Sequence, residues 1–117
     1  MHDTEIFDKA ITWAQRQGLT NIKANHGDFE MPSQFNRPGE DMPVIPDITG
    51  FRTGNKNYIE IAEKSEDVQR IVSRWKLLST MAAMKGGKLY LLAPRGHKAF
   101  TEDLVNRYNL SANIVSI

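Results

Sequence analysis

The chain has no cysteine in 117 residues. That excludes a disulfide framework, a cysteine-ligated zinc site, an iron–sulfur cluster and a thiol nucleophile. Its apolar runs are only a few residues long, too short to span a bilayer. No basic stretch followed by an apolar core opens the sequence, so no signal peptide is expected and the expected location is cytoplasmic. No repeat, low-complexity tract or linker divides it, and the length suits one domain over residues 1–117. A surplus of one charge is missing too, since fifteen Lys/Arg against fourteen Asp/Glu give a formal net charge of +1. The distribution is less even. Residues 1–63 hold six Lys/Arg and ten Asp/Glu, whereas residues 64–117 hold nine and four. An acidic half suits divalent cations and a basic half suits phosphates, although charges spread over solvated faces give the same counts.

Several chemistries find no footing. Gly86-Gly87-Lys88 resembles part of a phosphate loop, but Ala82 stands where the first glycine belongs and Leu89 replaces the magnesium-binding Ser/Thr. It reads instead as a helix stop. His2, His26 and His97 lack ligand spacing and read as surface or loop histidines. His26-Gly27-Asp28 fits a turn as well as a metal contact. No G-x-S-x-G elbow is present, so serine-hydrolase chemistry has no support.

Periodicity supplies the elements. Ile6, Ala10, Trp13 and Ala14 mark a helix over about residues 4–17, capped by Asp3 or Thr4 and ended by Gly18. Residues 20–30 read as a strand, and the Pro- and Gly-containing residues 31–42 as an irregular loop expected to border the functional cleft or to be mobile. Residues 44–52 and 57–64 form a hairpin turning at Gly54-Asn55. Val68, Ile71, Val72, Trp75, Leu78 and Ala82 stripe a second helix over about residues 66–85, with Ser65 as its cap. The apolar run Leu89–Ala93 suits a strand covered on both faces. Thr101 is expected to cap a third helix over about residues 102–108, with Phe100 stapled onto Val105, and residues 114–117 form an edge strand. The order α-β-β-β-α-β-α-β gives an α/β fold, a mixed sheet flanked by helices. Ile6, Trp13, Ile59, Ile61, Ile71, Trp75, Leu78, Leu89 and Leu91 are its expected core.

Two carboxylates stand out on the hairpin arms. Asp47 follows Pro46, and Glu60 sits among Tyr58, Ile59 and Ile61. An ionised group in an apolar strand is costly unless compensated. Two of them on adjacent strands achieve this by sharing a hard cation with oxygen ligands. The alternative is that both point outward from a half-solvated sheet, and spacing alone leaves the two readings level.

Pro46-Asp47, the thirteen-residue step to Glu60 across a glycine turn, and the helix and apolar strand that follow resemble the PD-(D/E)XK nuclease superfamily. That superfamily includes restriction endonucleases and archaeal Holliday-junction resolvases, and residues 73–96 look especially like its small members of unassigned activity. The resemblance implies a restriction endonuclease-like α-β-β-β-α-β core and metal-dependent hydrolysis of DNA phosphodiester bonds. It implies Asp47 and Glu60 as ligands of Mg2+ or Mn2+, with Glu5 as a further carboxylate whose other reading is an i,i+4 pair with Lys9. DNA is the implied partner and a homodimer the implied assembly. The superfamily's lysine position falls on Ala62, a departure. Lys64 is the expected stand-in, on the same strand face, with Lys76 as runner-up; Arg74 also lies on the helix from which some members borrow a basic residue. Lys64, Arg70, Arg74, Lys76 and Arg95 are the expected phosphate contacts. The alternative is a nuclease-like fold that has lost catalysis and acts as a nucleic-acid or protein binding module.

Overall fold

The computed structural model describes residues 2–39 and 41–117. Eight elements follow the expected order: α1 (Thr4–Arg16), β1 (Thr20–Ala24), β2 (Ile48–Arg52), β3 (Asn55–Ile61), α2 (Val68–Met84), β4 (Leu89–Ala93), α3 (Lys98–Arg107) and β5 (Asn113–Ser116). The strands form one sheet in the order β1-β2-β3-β4-β5. β1, β2 and β3 pair antiparallel, while β3, β4 and β5 pair parallel. The fold is α/β with a mixed sheet.

Strand alternation divides the core in two. Ile59 and Ile61 face α1, with Phe7, Ala10, Ile11, Ala14, Ile48 and Leu92. Tyr58 and Ala62 face the other way, against Val72, Trp75, Leu78 and Ala82 of α2 and Leu104 of α3. Both parallel crossovers therefore lie on one face, as two connections of the same hand moving in the same direction require. Of the expected core, Ile6, Trp13 and Ile71 are only half-buried. Trp13 packs against the α1-side core next to Tyr90 of β4, with ring centroids 5.1 Å apart.

Four local expectations are corrected. The hairpin turns one residue earlier, at Thr53-Gly54, whose φ values of 50° and 82° suit a two-residue loop joining Arg52 to Asn55. The first arm is shorter than residues 44–52, because Val44 pairs with Phe35 in an isolated bridge before β2 begins. Asp67, not Ser65, caps α2, accepting the Arg70 N–H at 3.3 Å. Finally, α3 starts at Lys98 after His97. Thr101 is buried inside it with its hydroxyl donating back to the His97 carbonyl at 2.9 Å, so it neither caps the helix nor leaves Phe100 outside to staple it.

Gly86-Gly87 ends α2 for two separate reasons. Gly86 takes φ +73°, and a Cβ on Gly87 would lie 1.8 Å from the Lys56 carbonyl oxygen of β3. No rotamer relieves a clash with backbone, so the chain itself must move. Gly87→Ala is expected to cost more than about 2 kcal/mol in chemical denaturation. Met84→Ala, three residues earlier and 73% exposed, is expected to stay within about 0.5 kcal/mol. Equal stabilities for the two variants would contradict this packing.

Candidate functional site

Where β2 begins, side chains continue the strand ladder. The last regular pair is Ile48 with Ile59, which sets Asp47 opposite Glu60. Pro46, fully buried, offers no N–H to a neighbour. Asp47 then donates its N–H to Glu60 Oε2 at 2.7 Å, while its own Oδ2 accepts the Ile61 N–H at 2.9 Å. Its carbonyl accepts the Asn25 N–H at 2.9 Å, closing the other side. The two carboxylates are thus on one side of the sheet edge, at 6% and 1% exposure.

Arg74, from α2, compensates them. Its Nε donates to Glu60 Oε1 at 2.5 Å, and its Nη2 lies 3.3 Å from Glu60 Oε2 and 3.7 Å from Asp47 Oδ1. The same Nη2 also donates to the Ile45 carbonyl. Burial works against the Arg74 charge, but the carboxylates outweigh it and hold the guanidinium protonated. Glu60 moves the other way. Burial first, and the Asp47 charge second, push it up to about 7 in spite of Arg74.

His2 closes the cluster from outside the sheet. Nε2 lies 3.0 Å from Asp47 Oδ2 and Nδ1 lies 2.5 Å from Glu63 Oε1. Two nitrogens each facing a carboxylate must both carry protons, which is the imidazolium. Burial opposes that charge, but Asp47 and Glu63 raise the pKa to about 9.

These groups line a cavity of about 650 Å³ with Lys64, Ser65, Asp67, Arg70, Trp75 and His97. It opens beyond the carboxyl ends of the parallel strands β3 and β4, and the antiparallel β2 brings its opposite end there. Asp47, Glu60, Lys64, Arg70 and Arg74 of the expected set are brought together. Glu5, exposed in the first turn of α1, is not among the lining residues. Neither are Arg95, exposed in the turn after β4, and Lys76, whose ammonium sits 6.0 Å over the Tyr108 ring. Ala62 is fully buried between β3 and α2. Described parts of residues 31–42 do not border the cavity either: Phe35 packs on Tyr58 and Arg37 bonds Ser73 of α2, leaving only the following Pro43 and Ile45 in its wall. Glu40 lies outside the described residues.

Among the described residues, no three His, Asp or Glu side chains form a ready-made metal site. The donor chemistry nonetheless fits a hard divalent cation, which takes carboxylate oxygens and keeps several waters. The Arg74 guanidinium marks a position from which one positive group meets both carboxylates. His2, Glu63 and His97 had no signal as site residues in the sequence, since none belongs to a periodic stripe or a spaced motif. Among the described residues no helix is long and apolar enough to cross a membrane. Protein-family models, curated proteins and solved structures give no match to this chain.

His2 carries a pH dependence of stability. Its folded pKa stands above the unfolded value of 6.5, at about 9, so its contribution is complete below 6.5 and is lost as pH rises through 9. Unfolding free energy is expected to decline between these values, and His2→Gln to flatten that decline. Denaturant titrations across this range measure both, and an unchanged slope in the variant would contradict the contact.

Proposed function

We propose that the chain is a metal-dependent nuclease-like protein that hydrolyses DNA phosphodiester bonds, with a restriction endonuclease-like core. The observation that carries the reading is the buried Asp47–Glu60 pair, opposite one another on a hairpin and open to a cavity. The element order supports it, as does the basic charge of residues 64–117. Asp47 and Glu60 are the residues that would hold Mg2+ or Mn2+. Such an ion, when bound, polarises a phosphodiester and lowers the pKa of water. Arg74 takes the basic role that the superfamily gives to a lysine. It already lies within reach of both carboxylates, whereas Lys64 only lines the cavity and Lys76 lies elsewhere. A fixed guanidinium offers positive charge where a phosphoryl group accumulates negative charge.

One observation favours the second reading, a catalytically degenerate binding module. Arg74 and His2 already neutralise the carboxylates, and Ala62 leaves no lysine in the usual place.

Cleavage of duplex DNA in Mg2+ and Mn2+ separates the two. Slow, chelator-sensitive cleavage is expected, abolished in Asp47→Ala and Asp47→Asn and reduced on the order of 100-fold in Arg74→Ala. DNA affinity is expected to fall steeply between about 50 and 200 mM salt as counterions are released. An inactive wild type with salt-dependent DNA binding would establish the binding module instead. An inactive wild type with no binding at low salt would remove both readings.

A further inference from the structure

Charge pairing in the cavity is uneven. Four carboxylates line it, and each is engaged: Asp47 and Glu60 with Arg74, Glu63 with His2, and Asp67 as the cap of α2. On the cationic side, Arg74 and His2 are consumed in those pairs. Lys64 and Arg70 line the same cavity, and among the described residues neither side chain has a carboxylate within ion-pair distance. They are the two cations of the cavity that make no ion-pair contact among the described residues, while four carboxylates and four cations in all line it.

Two neutral donors accompany them. His97 Nδ1 accepts the Lys64 N–H at 2.9 Å, so the proton of the neutral ring sits on Nε2, which becomes a fixed donor. Ser65 Oγ accepts the Asp67 N–H at 3.1 Å, leaving its own hydroxyl proton free to donate. Among the described residues, no acceptor engages the side-chain donors of Lys64, Arg70, His97 and Ser65. Such a wall fits an anion with several acceptor oxygens, and a tetrahedral oxyanion uses four donors better than a carboxylate does.

We propose that Lys64, Ser65, Arg70 and His97 form a phosphate subsite that holds a backbone phosphodiester of a nucleic-acid strand next to the Asp47–Glu60 pair. The four residues from Glu60 to Lys64 span at most about 14 Å of chain, so a short stretch of strand reaches both. The identity of the ligand rests on the nucleic-acid reading above; the anion chemistry of the wall does not. Arg70 supplies a fork for two phosphate oxygens, Lys64 a mobile point charge, and His97 a donor whose direction is locked by its second nitrogen.

The test uses the whole chain in chelator, so that cleavage plays no part. Fluorescence anisotropy at low salt measures binding of a short single-stranded oligonucleotide, made with a 5′-phosphate or a 5′-hydroxyl. Lys64→Ala, Arg70→Ala and His97→Ala are each expected to weaken binding by about threefold to tenfold relative to Arg16→Ala, which removes a charge outside the cavity. His97→Asn keeps an acceptor near the Lys64 N–H but no donor at the Nε2 position, and is expected to match His97→Ala. Equal affinity for the two oligonucleotides supports the internal phosphodiester, and dependence on the 5′-phosphate overturns it. Variants binding like Arg16→Ala overturn the subsite while leaving the nucleic-acid reading intact. Should the oligonucleotide not bind, inorganic phosphate becomes the probe. A thermal upshift lost in Arg70→Ala would keep the anion wall and overturn its nucleic-acid ligand, and no upshift would overturn both.

Discussion

The structure around the hairpin is organised by one expensive fact, the burial of two carboxylates at the edge where β2 meets β3. Removing such groups from water costs several kcal/mol each unless neighbours compensate. Compensation here comes from every direction. The Asp47 and Ile61 amides supply hydrogen bonds from the strands, α2 supplies Arg74, and the segment before α1 supplies His2. Remove this pair and several features lose their reason: the ladder that passes into side chains after Ile48, the reach of Arg74 to the Ile45 carbonyl, and the half-buried position of His2. An apolar pair of similar volume is often no less stable than a buried ionic one. The charged groups are therefore a weak argument for stability and a better one for a site.

Topology then decides where that site opens. β3 and β4 run parallel, so the segments leaving their carboxyl ends, Glu63–Lys64–Ser65 and the turn carrying His97, arrive at one edge. β2 runs antiparallel and contributes its beginning to the same edge. The carboxylate pair from the hairpin and the Lys64, Arg70 and His97 side chains of the crossover segments meet there without a dedicated loop. This is also why residues 31–42, for all their proline and glycine, are not needed at the cavity. Their described contacts instead serve the opposite requirement, covering Tyr58 and the flank of α2.

Much of this was legible in the sequence, and the failures have physical causes. Leu89–Ala93 was visible as an apolar run, and α2 from its stripe. The convergence of Asp47 and Glu60 was only half visible, because register depends on the turn. A turn at Gly54-Asn55 would set Asp47 opposite Ala62, two residues or ~6.6 Å along the strand from Glu60. The observed turn places Thr53, a β-branched residue, at φ 50°, which sequence preference argues against. Tertiary pairing outweighs local strain there. His97 reads as a loop histidine from sequence because no ligand spacing surrounds it, and Thr101, which carries the stronger capping preference, spends its hydroxyl inside the helix. His2 had no pattern to betray it. Its role comes from two carboxylates, one of them 45 residues away at Asp47, and no local window contains that relation.

The same atoms serve fold and site, and this changes how substitutions at the pair must be read. Asp47 Oδ2 is the partner of a buried backbone N–H as well as of His2. Truncation to alanine strands the Ile61 amide, which costs about 1–3 kcal/mol before any chemistry is considered. Asparagine keeps an oxygen for that amide and removes the charge, so it probes electrostatics with less collateral loss. Arg74 has the converse ambiguity. Its removal leaves Glu60 buried beside Asp47 with no cation in contact with it, conditions that favour the protonated carboxyl. Loss of function in an Arg74 variant therefore mixes two effects, a missing positive group and a neutralised Glu60. Lysine at position 74 restores charge without the planar fork, and so separates the charge requirement from the geometry of the two-point contact.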